Sequence, residues 1–165
     1  YPCKRSAFSL SIRWDSMKKL EVSAIEEGTV IDQIANKSTF KVANILNTQN
    51  IEQVVLIGFN LSSKKLGKKG IIKIGGKLLT QEEVNKISLI APDATVNIIK
   101  DSEVVKKFTV DIPDSIEEFM KCFNPNCVSN HQKIISRFHV INKNPIRIRC
   151  HYCERHMGVD DIELV

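Results

Sequence analysis

Apolar residues in the first two thirds of the chain recur in short blocks, some alternating with polar positions and some at helical spacing. Leu20, Val22 and Ala24 alternate with Glu21 and Ser23, which predicts a strand reaching Ile25, and Glu27-Gly28-Thr29 then turns the chain. Thr29 is placed to cap a helix carrying Val30, Ile31, Ile34, Phe40, Val42, Ile45 and Leu46, broken or bent at Asn36-Lys37-Ser38. Residues 53–60, dense in Val, Leu, Ile and Phe, read as a buried central strand. After a polar loop, Ile71-Ile72-Lys73-Ile74 is a short strand ended by Gly75-Gly76. Thr80-Gln81-Glu82-Glu83 is a capping box opening a helix that stops before Pro92. Residues 95–100 and 103–108 read as strands joined tightly at Asp101-Ser102.

The resulting order is β-α-β-β-α-β-β. Its first six elements are an α+β, ferredoxin-like arrangement: a four-stranded antiparallel sheet with both helices on one face, which the seventh element extends. The other face, or an edge, is then available as a dimer surface or ligand site. Asp111-Ile112-Pro113-Asp114 marks a boundary, and Asp114 or Ser115 is expected to start a short helix through Phe119. Beyond it lie strands over 133–141 and 146–149, between two cysteine pairs. We therefore expect an extension over 1–16 with Met17 as the native start, a first domain over 17–110, and a small all-β second domain over 111–165.

The cysteines decide the second domain. Cys122-x4-Cys127-x22-Cys150-x2-Cys153 brings two short thiolate pairs to one tetrahedral ion, with structural zinc the favoured occupant, one per chain. An iron centre has the same ligands available, and Cys150 with Cys153 alone also matches a redox pair, although no thioredoxin-like βαβ context surrounds them. Four protein thiolates leave no open position for water or substrate, so function must be sought elsewhere. A module of this size is expected to need its metal to fold, so a chelator should unfold it first. Reduced thiols fit a cytoplasmic protein, and no run approaches the roughly 18 apolar residues of a membrane span.

Formal charge is +5, unevenly spread. Residues 17–107 hold 14 basic against 10 acidic side chains, whereas 108–165 hold 7 against 8. Zinc with four thiolates makes the second domain more negative still, which argues against a phosphate-tracking nucleic-acid surface there. Any anion site belongs to the first domain. There the segment from Lys64 to Lys73 reads as a solvated loop or as a polyphosphate site, with Gly67 and Gly70 admitting close approach of backbone amides and Lys73 held in an apolar strand. Asp32 is either a charge at a helix N-terminus or an acceptor for a bound group, and Asn97 either an edge polar residue or a base and ribose contact. His131, His139, His151 and His156 all fall in the second domain as alternative ligands. No nucleophile–base arrangement or carboxylate pair is placed for catalysis, so the chain is not expected to be an enzyme.

Glu27-Gly28-Thr29-Val30-Ile31-Asp32, Lys69-x3-Lys73-Ile74, Ala91-Pro92-Asp93-Ala94-Thr95-Val96-Asn97 and Cys122-x-Asn124-x-Asn126-Cys127, in that order, closely resemble the regulatory chain of aspartate carbamoyltransferase. The resemblance runs from about Lys19 to the C-terminus. It implies a non-catalytic subunit of pyrimidine biosynthesis whose first domain binds CTP, ATP or UTP and whose zinc domain grips the catalytic chain. By position, Val22, Ala24, Ile25, Asp32, Asn97, Ile99 and Val104 would line the base and ribose site, Lys69, Lys73 and Lys107 would meet the phosphates, and Gln33 would belong to the same nucleotide-binding site. Asn124, Asn126, Tyr152, Glu154 and Arg155 are the candidate contacts to the catalytic chain. The resemblance also implies homodimers through the first domain, with neither nucleic acid nor membrane as partner. Gln33 stands where many relatives carry His, and Ser102 where some carry Tyr, which bears on the choice among nucleotides. The rival reading is a zinc-ribbon nucleic-acid-binding protein whose lysine loop tracks phosphates, weakened by the near-neutral second domain and few aromatics.

Overall fold

The structure, a computed structural model, describes residues 25–165; the expected extension over 1–16 and the strand containing Val22 and Ala24 lie outside the described residues. Five strands form the first sheet: β1 (Gly28–Ala35), β2 (Val55–Ser63), β3 (Gly67–Gly75), β4 (Thr95–Lys100) and β5 (Glu103–Thr109). Two helices, α1 (Thr39–Ile45) and α2 (Gln81–Ile90), complete the unit. All strand neighbours are antiparallel, in the order β2-β3-β1-β4-β5. This is the expected ferredoxin-like sheet with its additional strand.

Two expectations about which segments build it are corrected. Residues 28–35 are the central strand, not a turn and the start of a helix; the helix begins only at Thr39, after a single 3₁₀ turn over Asn36–Ser38. Thr29, Val30 and Ile31 are all buried, and this run of β-branched residues fits a strand between two partners. Residues 55–60 of this segment open β2, which is an edge strand and not a central one; Ile57 and Phe59 are exposed along it. The lysine-rich segment is likewise no open loop. It forms the tight end of the β2–β3 hairpin, with Ser63 opposite Gly67.

Rows of cross-strand partners explain the core. Ile31 lies between Ile72 and Val96, each nearly inaccessible, and packs with Val42, Leu46, Ile87 and Leu89 from the helices. Gly70 lets α1 approach: a Cβ there would overlap the side chain and Cβ of Thr39, the first residue of that helix. The expected capping box opens α2, with Thr80 Oγ1 accepting from the Glu83 amide at 3.2 Å and Glu83 Oε2 accepting from the Thr80 amide at 2.9 Å.

The second unit contains β6 (Ser115–Glu117), β7 (Met120–Lys121), a single helical turn α3 (Val128–His131), β8 (Arg137–Lys143), β9 (Ile146–Cys150), β10 (His156–Met157) and β11 (Glu163–Leu164). Its sheet runs β10-β9-β8-β6, with β11 and β7 paired separately. The helix expected from Asp114 or Ser115 is instead β6 and a turn: Ile116 alone is buried, opposite Phe138, between exposed neighbours. The apolar core is continuous between the units, passing from Leu89 and Ala94 through Val110 and Ile112 to Ile116, Met120, Phe138 and Ile148. Helix α2 carries a second connection, because Lys86 lies 5.6 Å over the Phe119 ring and donates to the Val165 carbonyl at 3.3 Å.

Gly70→Ala is expected to destabilise the chain by about 1–3 kcal/mol through overpacking against Thr39. Thermal unfolding should show a lower Tm, and adding Thr39→Ala should recover part of the loss; an unchanged Tm would contradict this packing.

Candidate functional site

Two helices cover one face of the sheet, and alternation along each strand assigns side chains to the other, open face. Lys73 is opposite Val30, Val30 opposite Asn97, and Asn97 opposite Lys107, so these four form one row across β3, β1, β4 and β5. Ile99 and Val104 are partners in the row on one side of it, and Asp32 and Thr95 are partners on the other. Lys69 shares the face with Lys73 by alternation along β3. The register thus brings together Asp32, Lys69, Lys73, Asn97, Ile99, Val104 and Lys107.

Asp32 has a position that the helical reading could not anticipate. The β1–β3 register slips by one residue between Ile31 and Ile34, which is a β-bulge, and Gln33 sits in the left-handed region with φ 57°. Bulges re-aim side chains, and here the Asp32 carboxylate is fixed from two sides. Its Oδ1 accepts from the Gln33 amide at 2.7 Å, and Lys69 Nζ donates to Oδ2 at 2.8 Å. Asp32 is therefore an ion-paired strand residue and does not serve a helix N-terminus.

The other members of the lysine cluster disperse. Lys65 pairs with Asp93, and Lys68 Nζ donates to the Asn60 carbonyl at 3.4 Å. Gly70 is occupied by helix packing, not by an approaching anion. At the opposite end of the face, Ile25 helps line a cavity of about 920 Å³ with Glu26, Leu56, Gly76, Asp101 and Ser102. Ser102 donates its amide to the Glu26 carbonyl at 2.9 Å, which places Ile25 beside it. The open face thus carries Lys69 toward the hairpin end, Lys73 and Lys107 in the row with Asn97, and apolar and acidic groups at the cavity. Thr95 was not identified from the sequence, although the alternation Thr95, Asn97, Ile99 carries the signal.

The four cysteines converge. Their sulfur atoms all lie within 4.8 Å of one another, with Cys122 and Cys153 3.6 Å apart and Cys127 and Cys150 3.7 Å apart. Tetrahedral Zn–S bonds of about 2.3 Å require sulfurs about 3.8 Å apart, so the donor set and its spacing fit one structural Zn²⁺. Asn124 is part of the cradle: it is buried, its Oδ1 accepts from the Asn126 amide at 3.2 Å, and its carbonyl accepts from Asn130 Nδ2 at 2.9 Å. The same Asn130 amide donates to the Cys122 carbonyl at 2.8 Å, a support that sequence spacing did not reveal. Asn126, Glu154 and Arg155 are exposed around the cradle, and Tyr152 is half-buried with its hydroxyl donating to the Ile135 carbonyl at 2.7 Å.

Burial pushes the Cys122 and Cys150 thiols up. Burial also acts upward on Cys153, but hydrogen bonds from the Arg155 backbone and the Asn124 side chain, followed by Cys122 and Cys150, outweigh it and bring this thiol down to about 7.

A five-stranded antiparallel sheet joined to a small β module with a closed four-cysteine cluster gives the chain two units of different build. Residues 20–111 match the allosteric domain of the aspartate carbamoyltransferase regulatory chain, and residues 114–163 match the metal binding domain of that chain. The chain belongs to the aspartate carbamoyltransferase regulatory-chain family, whose members are regulatory and not catalytic polypeptides. Among its relatives, the regulatory chain of Thermococcus onnurineus is 54% identical over 147 residues, covering 88% of this chain and 97% of the relative. That of Pyrococcus abyssi is 51% identical over 148 residues with the same coverage, and that of Bacteroides fragilis 44% identical over 151 residues, covering 92% and 99%. Among the described residues no helix is long and apolar enough to cross a membrane.

Zinc uptake at pH 7 is expected to release protons from Cys122 and Cys150, and apparent zinc affinity to rise with pH. Calorimetric titration of the zinc-free chain in two buffers of different ionisation enthalpy measures the release; buffer-independent heats would contradict binding through thiols that start protonated.

Proposed function

We propose that this chain is the effector-binding subunit of an aspartate carbamoyltransferase, acting in the cytoplasm in pyrimidine biosynthesis. Its first unit, to about residue 110, binds nucleoside triphosphates, CTP, ATP or UTP, on the open face. Its zinc unit, from about residue 111, docks on the catalytic chain. The observation that carries this reading is the row Lys73–Val30–Asn97–Lys107, with the Asp32–Lys69 pair beside it. The lysines of the face suit phosphates, Asn97 offers both a donor and an acceptor to a ribose or base, and Ile25, Ile99 and Val104 offer an apolar border.

Exposed Asn126, Glu154 and Arg155 beside the metal cradle, with Tyr152, supply the surface for the catalytic chain, while Asn124 holds the cradle that presents them. Pairing of two copies through their first units is supported by the β2 edge, where Phe59 contacts Phe40 at 5.4 Å between ring centroids and both rings are exposed. A nucleotide regulates only by preferring one arrangement of the assembly, since equal affinity for two states shifts neither. The continuous core and the Lys86 contact with Phe119 give its effect a route into the zinc unit. Coupling of about 1–3 kcal/mol is the usual range for such regulation.

Lys73→Ala should weaken triphosphate binding, measured by calorimetry, yet leave assembly with the catalytic chain intact. Cys127→Ala should abolish assembly, measured by size-exclusion chromatography. The reverse pattern would reject this division of labour.

A further inference from the structure

Gln33 is bound in a way that its resemblance-derived role does not anticipate. The Ser63 hydroxyl donates to Gln33 Oε1 at 3.0 Å, and the same hydroxyl oxygen accepts from the Leu66 amide at 3.2 Å. Ser63 ends β2 and Leu66 precedes Gly67, so this pair of bonds closes the turn that carries Lys64 and Lys65. On its backbone side Gln33 donates to Asp32 Oδ1 at 2.7 Å, and Asp32 in turn holds Lys69. The left-handed backbone of the bulge places the Gln33 side chain toward the hairpin end while Asp32 faces Lys69. Gln33 therefore joins the central strand to the turn through its side chain, while its backbone amide steadies the carboxylate that orients Lys69.

Building on the nucleotide-binding reading above, we propose that Gln33 is a positioning residue for phosphate recognition: with Ser63 it clamps the β2–β3 hairpin so that Lys69 and Lys73 are presented together, and it makes no contact with the base. The second tie, in which Asn36 and Asn60 exchange two hydrogen bonds of 2.7 Å, holds the hairpin's bulged β2 strand but does not reach the turn. Loss of the Gln33–Ser63 bond therefore loosens the turn that leads into the strand carrying Lys69 and Lys73, while the backbone bond to Asp32 and the sheet remain. Because the clamp acts on phosphate-binding lysines, its effect is blind to the nucleoside.

The test is calorimetric titration of the zinc-loaded chain with CTP and, separately, with inorganic tripolyphosphate. The proteins compared are the parent, Gln33→Ala, Ser63→Ala, Ser63→Thr and the Gln33→Ala/Ser63→Ala double variant. Loss of one coupled hydrogen bond is expected to weaken both ligands about threefold to tenfold in each alanine variant. The double variant should be no weaker than the singles, and Ser63→Thr, which keeps the hydroxyl, should bind like the parent. Weakened CTP but unchanged tripolyphosphate in Gln33→Ala, with Ser63→Ala neutral, would overturn the clamp in favour of a direct nucleoside contact. A neutral Gln33→Ala would overturn it outright. If the parent binds neither ligand, the nucleotide reading fails first and the positioning role fails with it. Parent-like Tm in the singles separates these outcomes from misfolding; a Gln33→Ala that melts early is replaced by Ser63→Ala, whose neutrality would equally overturn the clamp.

Discussion

Two short helices can cover only one face of a five-stranded sheet, and the rest of this molecule follows from which face they cover. The covered side holds Ile31, Ile72 and Val96 in one row, and side-chain alternation then obliges Val30, Lys73 and Asn97 to face the other way. Among the described residues no helix covers that other face, and it carries polar and charged groups among its apolar ones. Here those groups are lysines, asparagine and an ion-paired aspartate, a donor-rich set suited to an anion with a polar ring system attached.

The bulge in β1 adds direction to that face. One extra residue at Asp32–Gln33 takes two side chains out of the regular ladder, sending one to Lys69 and one to Ser63. The zinc module solves a different problem, presenting an exposed surface from a small unit whose sulfur cluster fixes two loops at once. Between the two, α2 is packed on the sheet by Ile87 and Leu89 and touches the zinc module through Lys86. Helix α2 is thus an element that the sheet and the zinc module share.

Much of this was legible in the sequence, and the failures have physical causes. The four-cysteine spacing and the Thr80–Glu83 capping box are short-range signals whose geometry is set within a few residues, and both are realised. The βαββαβ order also emerged, but partly through the wrong segments. Val30, Ile31 and Ile34 fit a helical period because the bulge inserts a residue into the strand, so two-residue alternation breaks at Gln33 and imitates a helix. The β2 segment looked central because its apolar density matches that of a covered strand, whereas several of those side chains are exposed at an edge. The lysine cluster looked like one anion site because sequence cannot tell alternate sides of a strand from successive positions in a loop. Lys69 and Lys73 share the open face, while Lys65 and Lys68 are committed to Asp93 and Asn60.

Hydrogen exchange of the zinc-loaded chain with and without saturating CTP tests the open-face assignment most directly. Slower exchange should concentrate in Gly28–Ala35, Gly67–Gly75 and Thr95–Lys100, the strands that carry the row, with a smaller change in α2. Protection confined to the zinc module, or no protection in these strands at a CTP concentration that saturates binding, would contradict the account.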